Sequence, residues 1–384
     1  MIPKIRLYCI FFSLLLLCYC KSEAEKVSTQ ATVRKSIIDS TVIVFQQKLL
    51  KSQLDSVFAK NKFNGSISVL QNGQVLYEKE NGFENFKNKK PLDSNSVFAI
   101  GSVSKQFTAV LILLQEEQEK LSTDDRVSGF LTAFKAAPFK EITVKELLNH
   151  TSGLSDFGNG LLSEPGTEFH YSNKGFYYLG QIIEKVSGKS YDQNAMDLFR
   201  KTGMNNSFTA NTFTGNYLAG AYLGDEQHFT KVANMPERLT DKSISVPAGG
   251  ILSTINDLHR WNNALFNGII LKPASLKKLT EKSADRNHPI LGKMGYGFGL
   301  MMNVGKPEAY FHTGYVKGAP SLNVYYPATK TSVVVLSNIA DESKGKNVIF
   351  KTHKEVKKAT DHIEMAVTGL RSDMLNVRLH NLER

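Results

Sequence analysis

Strand-like runs stand at the two ends of this chain, and the stretch between them reads as helix and loop. Near the N-terminus, Ser66–Leu70 and Gln74–Glu80 flank Asn72-Gly73. Both residues of that dipeptide accept positive φ, so it is a strong hairpin signal. Toward the C-terminus, Tyr296–Asn303, Ala309–Thr313, Ser321–Tyr326 and Thr331–Ser337 are rich in β-branched and aromatic residues, separated by Gly, Pro or Lys turns. The economical arrangement is one antiparallel sheet built from N- and C-terminal strands, flanked by helices, with a mostly helical region inserted: an α+β fold. Apolar spacing predicts helices over 45–60, 104–120 (Phe107, Val110, Leu111, Leu114), 144–148, 177–186 and 347–359. The expected division is a sheet subdomain of 45–120 with 291–360, a helical subdomain of 121–290, and a tail of 361–384 without clear apolar periodicity. A cleft is expected at the seam between sheet and helical part.

The first residues carry a different message. Lys4 and Arg6 precede an almost unbroken apolar run, Leu7 to Tyr19. That run is too short to span a bilayer and reads as an export signal over 1–20. Two cleavage sites stay open: after Ala24, where small residues occur, or before Cys20, which would become a lipidated first residue ahead of a polar tether over 21–44. The three cysteines, Cys9, Cys18 and Cys20, all fall in this region. The exported body therefore has no thiol for a disulfide, a thiolate metal site or a cysteine nucleophile. The net charge of +11 comes from basic residues scattered among acids, with no stripe of Lys/Arg and aromatics, which argues against nucleic acid as a partner. It suits a location near an anionic envelope polymer. A composition of 41% hydrophobic and 22% charged residues fits a globular protein.

Three separated segments carry chemistry. Ser102 precedes an amphipathic helix, whose unpaired N–H groups and partial positive charge favour an oxyanion there. Lys105 follows one helical turn later on the same face. A cation at a helix start opposes the dipole, a local cost of about 0.3–1 kcal/mol, and a broken local rule points to function. The plain alternative is a helix cap, since Ser-x-x-Lys also occurs at Ser275–Lys278 and Ser343–Lys346. Tyr171-Ser172-Asn173 is the second segment. A phenol titrates near pH 10 and needs a neighbouring cation such as Lys105 to act as a base. Asn173 could bond that lysine or a substrate carbonyl; alternatively, these are a packed aromatic and a turn former. In the third segment, Phe311-His312-Thr313-Gly314 ends a predicted strand, and Gly314 lets a substrate lie along the edge. His312 is expected to donate to a substrate carboxylate or help tune Tyr171, and the amides of Ser102 and Tyr315 to form an oxyanion hole. Lys201-Thr202-Gly203, a lysine form of this motif, reads as a helix end.

The order and spacing of these segments resemble the penicillin-recognising serine hydrolases: class C β-lactamases, serine D-Ala-D-Ala carboxypeptidases and related esterases. The likeness extends to Leu147–Leu154, to Pro165-Gly166 through Leu179-Gly180, to Ala248-Gly249-Gly250 with Ser253-Thr254 and Asp257-Leu258, and to Gly295–Gly299. It covers about residues 50–340. The resemblance implies a β-lactamase/transpeptidase-like fold, Ser102 as acylated nucleophile, and Lys105 and Tyr171 as its activating pair. It further implies Asn173 in substrate and lysine bonding, and His312, Thr313, Gly314 and Tyr315 as the substrate-lining edge. No metal or organic cofactor is implied. His150 and Ser152 then belong to a structural loop. The expected partner is a small-molecule or peptide substrate, peptidoglycan included, with membrane contact only through a lipid anchor at Cys20 and a periplasmic or envelope location. His312 stands where class C β-lactamases resemble the lysine form, and Tyr315 is bulky enough to narrow the cleft. Imidazole is mostly neutral at pH 7, so it holds a carboxylate less firmly than an ammonium. The expected reaction is acyl transfer through acyl-Ser102 on D-alanyl peptides, small esters or β-lactams, in that order. A β-lactamase proper and a non-catalytic envelope-binding or penicillin-binding protein are the alternatives.

Overall fold

The structure, a computed structural model, describes residues 23–61, 63–215, 217–225, 227–232 and 245–377. The export-signal residues 1–20 lie outside this set, as do the ends of the 361–384 tail beyond 377. Eight strands form the main sheet: β1 Gly65–Gln71, β2 Gln74–Asn81, β3 Ala284–His288, β4 Gly292–Tyr296, β5 Met301–Met302, β6 Tyr310–Val316, β7 Ala319–Tyr326 and β8 Thr331–Ser337. Their order is β3-β4-β5-β6-β7-β8-β1-β2, and every neighbouring pair is antiparallel. The two termini thus meet at β1 and β8, paired from Gly65↔Ser337 to Gln71↔Thr331. Asn72 (φ 49°) and Gly73 (φ 81°) turn the β1–β2 hairpin in the left-handed conformation that the dipeptide favours.

The helices that matter for the site are α1 Glu23–Asn61, α2 Ser104–Glu117, α3 Asn173–Ser187, α4 Tyr191–Thr202, α5 Val246–Gly249, α6 Ile255–Phe266 and α7 Lys351–Asn376. Side chains alternate across the sheet. One face presents Tyr77 and Tyr326, which bond Asp55 of α1 and Thr360 and Asp361 of α7. The other presents Ser332 and Asn323, which bond Asn262 of α6. Because helices cover both faces, β8 is buried at every position and reads as a continuous apolar run. α2 is the core helix: from Ser104 to Leu113 it is buried, and Phe107 stacks on Trp261 with ring centroids 4.0 Å apart. Burial of a side chain such as Phe107 stabilises by about 1.5–3 kcal/mol. α4 ends at Thr202 and Gly203 caps it at φ 71°, so Lys201-Thr202-Gly203 closes a helix.

Several sequence expectations change here. The stretch expected as a tether is helical from Glu23 onward, continuous with the predicted 45–60 helix. No Gly or Pro interrupts 23–61, and Ile38, Val42, Gln46, Leu50, Leu54 and Phe58 are buried at every fourth position. The tail likewise continues α7 to Asn376. The region expected to be helical, 121–290, also contributes β3, whose sequence Ala-Asp-Arg-Asn-His has little strand propensity. It is a strand because all five residues pair with β4, from Ala284↔Tyr296 to His288↔Gly292. The expected strand 296–303 is split, with Gly297–Leu300 separating β4 from β5.

By compactness the chain divides into two units, Met1–Gln46 with Val367–Arg384, and Gln47–Ala366. In the described part of the first, Arg371 pairs with Asp39, and the Arg34 guanidinium donates to the carbonyls of Met374 (3.0 Å) and Val377 (2.6 Å). The second holds the whole sheet and every residue of the candidate active site. Among the described residues, no helix is long and apolar enough to cross a membrane.

Candidate active site

Ser102 sits in the single 3-10 turn Gly101–Val103 that feeds α2. That turn lies hard against β6. A Cβ on Gly101 (φ +52°) would come within 2.5 Å of the Tyr315 amide nitrogen, and one on Gly314 within 2.0 Å of the Ile100 carbonyl. Only two glycines permit this approach. It sets the peptides of Ser102 and Tyr315, the expected oxyanion donors, side by side. Ser321 on β7 fixes the turn further by donating to the Ile100 carbonyl at 2.8 Å.

Lys105, on the first turn of α2, is fully buried. An ammonium has three hydrogens to donate. Here they meet Ser102 Oγ at 3.1 Å, Asn173 Oδ1 at 2.8 Å and the Ala248 carbonyl of α5 at 2.7 Å. With its oxygen accepting from Lys105, the serine hydroxyl keeps its own proton to give elsewhere. The Lys105 nitrogen also lies 4.8 Å from the centre of the Tyr171 ring. Burial pulls the ammonium below its ordinary range, while the Tyr171 phenol and the Asp156 carboxylate push it back up. The three predicted residues Ser102, Lys105 and Tyr171 therefore converge, and Asn173 joins them.

Asn173 opens α3, next to the cap residue Ser172, whose hydroxyl accepts from the Gly175 amide. Its orientation is set by a residue that the sequence did not single out. Asp156 accepts from Asn173 Nδ2 (3.0 Å), the Ser172 hydroxyl (2.9 Å) and the Lys174 amide (2.9 Å). A carboxylate at a helix start is favoured by the macrodipole. By fixing the amide nitrogen it leaves the amide oxygen to Lys105. Ala248 is the other unforeseen member, because a backbone carbonyl leaves no sequence signal beyond the motif around it.

The strand segment behaves differently from expectation. His312 is buried, and both of its ring nitrogens are taken. Nδ1 donates to the Thr313 carbonyl at 2.6 Å, and Nε2 lies 3.1 Å from the Tyr296 hydroxyl. That hydroxyl also meets His150 Nε2 at 3.2 Å, and His150 Nδ1 accepts from the Ser172 amide at 3.1 Å. The backbone ends fix His150, whose Nδ1 accepts from an amide, and the hydrogen on His312 Nδ1, which meets a carbonyl; burial, which holds His312 well below its ordinary value, leaves its Nε2 an acceptor. His150 carries its hydrogen on Nε2, Tyr296 donates to His312, and His312 carries its hydrogen on Nδ1. Both imidazoles are neutral. Burial holds each well below its ordinary value, helped by the charges of Lys105 and Arg286. Burial pushes the Tyr296 phenol well up, with Tyr171 adding to it. The imidazole of His312 is thus committed to the scaffold, and the carboxylate contact expected of it is replaced by this chain.

Neighbouring strand residues are turned outward. Thr313 faces the opposite side of the sheet, where its hydroxyl is 3.4 Å from His288. The Tyr315 ring does not narrow the cleft: its hydroxyl donates to Glu342 at 2.6 Å and the ring packs near Phe350. The edge at 312–315 faces Gly101 with backbone only. Arg286, from the unforeseen strand β3, stands over the Tyr171 ring at 4.6 Å.

A serine this closely coupled to a buried amine, beside a strand edge and a phenol, defines a serine hydrolase. The family model described as Beta-lactamase matches residues 55–354, so the chain belongs to that family. It is similar to Penicillin-binding protein 4* of Bacillus subtilis (strain 168), with 28% identity over 348 residues, 81% of this chain and 76% of that one. The octameric penicillin-binding protein homologue from Pyrococcus abyssi superposes with a TM-score of 0.66 at 27% identity, covering 79% of this chain and 75% of its own. The D-amino acid amidase from Ochrobactrum anthropi SV3 shares the fold, with a TM-score of 0.69 at 22% identity over 85% of this chain and 99% of that one.

Proposed function

We propose that the protein is an exported hydrolase that works through an acyl-Ser102 intermediate. The observation that carries this reading is the 3.1 Å contact between Lys105 Nζ and Ser102 Oγ, with the same ammonium fixed by Asn173 and Ala248. Tyr171, as its phenolate, accepts the serine proton and becomes the neutral phenol as Oγ bonds to the substrate carbonyl carbon. The carbonyl oxygen takes up the negative charge beside the amides of Ser102 and Tyr315. Collapse expels the leaving group, which receives the proton from Tyr171. Water, deprotonated by the regenerated phenolate, then adds to the ester, and that proton passes to Ser102 Oγ as the acid is freed. Asn173 and the 312–315 edge line the substrate.

D-alanyl peptides and small esters are the favoured substrates, with β-lactams third. Within that set, the engagement of both His312 nitrogens favours small esters and D-alanyl compounds whose leaving group carries no carboxylate, because His312 offers no cation to hold one. A β-lactamase proper is the second reading, read by nitrocefin turnover. The protein acts in the cell envelope, with peptidoglycan fragments as natural substrates and Cys20 as the point of any lipid anchor. Mass spectrometry after exposure to penicillin or a fluorophosphonate tests the mechanism. An adduct on Ser102 that is lost in Ser102→Ala and slowed in Tyr171→Phe is expected. No adduct on Ser102, or the same rate of labelling in Tyr171→Phe, overturns it. Equal binding of peptidoglycan fragments by wild type and Ser102→Ala, with turnover by neither, would instead mark a non-catalytic binding protein.

A further inference from the structure

Arg286 is a half-buried cation that the mechanism above does not use. It projects from β3 into a cage of three rings, with its guanidinium carbon 4.6 Å from the centre of Tyr171, 5.6 Å from Phe169 and 5.8 Å from Tyr296. Its Nη1 is buried and has no hydrogen-bond partner among the described residues. Nor, among those residues, does it form an ion pair with any carboxylate. A guanidinium held this way keeps its charge, since arginine does not deprotonate in proteins. Burial works against that charge, and the phenols of Tyr171 and Tyr296 work for it. A cation with a buried, unpartnered donor and no carboxylate beside it is better accommodated where a neighbouring group carries negative charge.

The groups that surround Tyr171 leave one candidate. Lys105 comes from α2, His150 and Asp156 from the loop before α3, Tyr296 from β4, and His312 from β6. His150 is neutral by its proton positions and His312 is held neutral by burial, Tyr296 is bound into the same chain, and Asp156 is spent on Ser172, Asn173 and Lys174. The group that must be negative for acylation to begin, because it takes up the serine proton, is Tyr171 as its phenolate.

We propose that Arg286 is a positioning residue for the acylation step: its caged charge stabilises the phenolate of Tyr171 and supplies, from β3, the second cation that His312 cannot supply from β6. The inference rests on Tyr171 as the base. It needs no contact between Arg286 and substrate. A cation within about 4–6 Å of an ionising group moves its titration by about 1–3 units toward the charged form. Losing it makes the phenolate harder to form, so the step moves to higher pH.

The test uses the full chain as wild type, Arg286→Gln, Arg286→Met and Arg286→Lys, each also with Tyr171→Phe. Two quantities are followed against pH: the rate of Ser102 labelling by a fluorophosphonate, and phenolate absorbance at 295 nm, taken as the difference between each protein and its Tyr171→Phe counterpart. In Arg286→Gln the absorbance midpoint is expected about one unit higher than in wild type. Labelling at neutral pH is expected about tenfold slower and to recover as the pH rises. Arg286→Lys keeps a charge and is expected to lie near wild type. If the glutamine variant does not fold, the methionine variant, which fills the cage without charge, carries the same comparison. Identical midpoints and profiles in the uncharged variants overturn the proposal. So does a loss of rate that is uniform across pH, or a lysine variant that behaves like glutamine. A shifted midpoint without any Ser102 labelling in wild type would defeat the acyl-serine reading and leave the electrostatic coupling standing.

Discussion

Tyr296→Phe isolates the hydrogen-bonded chain behind the catalytic groups. The substitution removes one oxygen and keeps the ring, so it opens no cavity of the kind that makes large-to-small changes costly. The contacts of the ring with Arg286 and Phe169 remain. What is lost is the atom that accepts from His150 Nε2 and donates to His312 Nε2. Both nitrogens belong to buried histidines, so two polar atoms are left without partners. Each orphan costs about 1–3 kcal/mol, giving an expected loss of about 2–6 kcal/mol. Urea unfolding followed by the fluorescence of the single tryptophan, Trp261, reads this directly. The expected result is a lower midpoint with an unchanged slope. A change below about 0.5 kcal/mol would refute the account, because it would mean that the hydroxyl links nothing that the fold needs.

Three further outcomes follow from the same geometry. Gly101→Ala puts a Cβ within 2.5 Å of the Tyr315 amide at a φ of +52°, so the serine turn must leave the β6 edge; labelling of Ser102 is expected to slow about a hundredfold, and a rate within threefold of wild type would contradict the close approach. Asp156→Asn weakens the grip on the Asn173 amide and frees its oxygen from Lys105; acylation is expected to slow about tenfold, with far-ultraviolet circular dichroism unchanged. Stability is expected to fall on acidification. His150, His259, His312 and His353 are buried and held low, His259 to about 3 and His353 to about 4, with burial the main cause. Unfolded histidines take up protons near pH 6.5 while the folded ones do not, so their contribution is complete above about pH 7 and is lost as pH drops, by about 1.4 kcal/mol per unit for each imidazole. Glu364, raised to about 7, opposes part of this because the native state gains its proton first. Urea midpoints that stay level or rise between pH 7.5 and 5 would contradict the sign.

How much of this was legible in the sequence depends on whether a signal was local. Ser102, Lys105 and Tyr171 were readable because each breaks or sharpens a local pattern: a cation at a helix start, a lone Tyr-x-Asn. The central antiparallel strands were readable from β-branched runs and one Asn-Gly turn. β3 was not, since Ala284–His288 has no strand composition and owes its shape to pairing with β4. Arg286 went unnoticed with it. The long α1 was half seen: the polar stretch before residue 45 looked like a tether, and only the absence of Gly and Pro hinted that the helix would run through it. Asp156 gave no sign either, because its partners lie 16 to 18 residues away and meet it through the loop that precedes α3.

The engagement of both His312 nitrogens shows why a motif letter is a weak guide to charge. An imidazole on a strand edge can serve as a donor to substrate only if one nitrogen is left over. Here the Thr313 carbonyl takes one hydrogen and the Tyr296 hydroxyl fills the other nitrogen, and the same chain ends on the Ser172 amide at the start of α3. That links β6, β4 and the Tyr171–Asn173 segment by neutral groups alone, in surroundings where a charge would have to be compensated. A neutral scaffold fixes the position of the phenol without biasing its charge. The bias must then come from elsewhere, and the cations within reach of the Tyr171 ring are Lys105 below α2 and Arg286 on β3. Lys105 is already shared among Ser102, Asn173 and Ala248, whereas Arg286 forms no ion pair with a carboxylate among the described residues. Position and polarity of the base are thus assigned to different strands, so each can be altered by mutation without the other: Tyr296→Phe should loosen the ring while leaving the pH profile in place, and Arg286→Gln should move the profile while leaving the ring where it is.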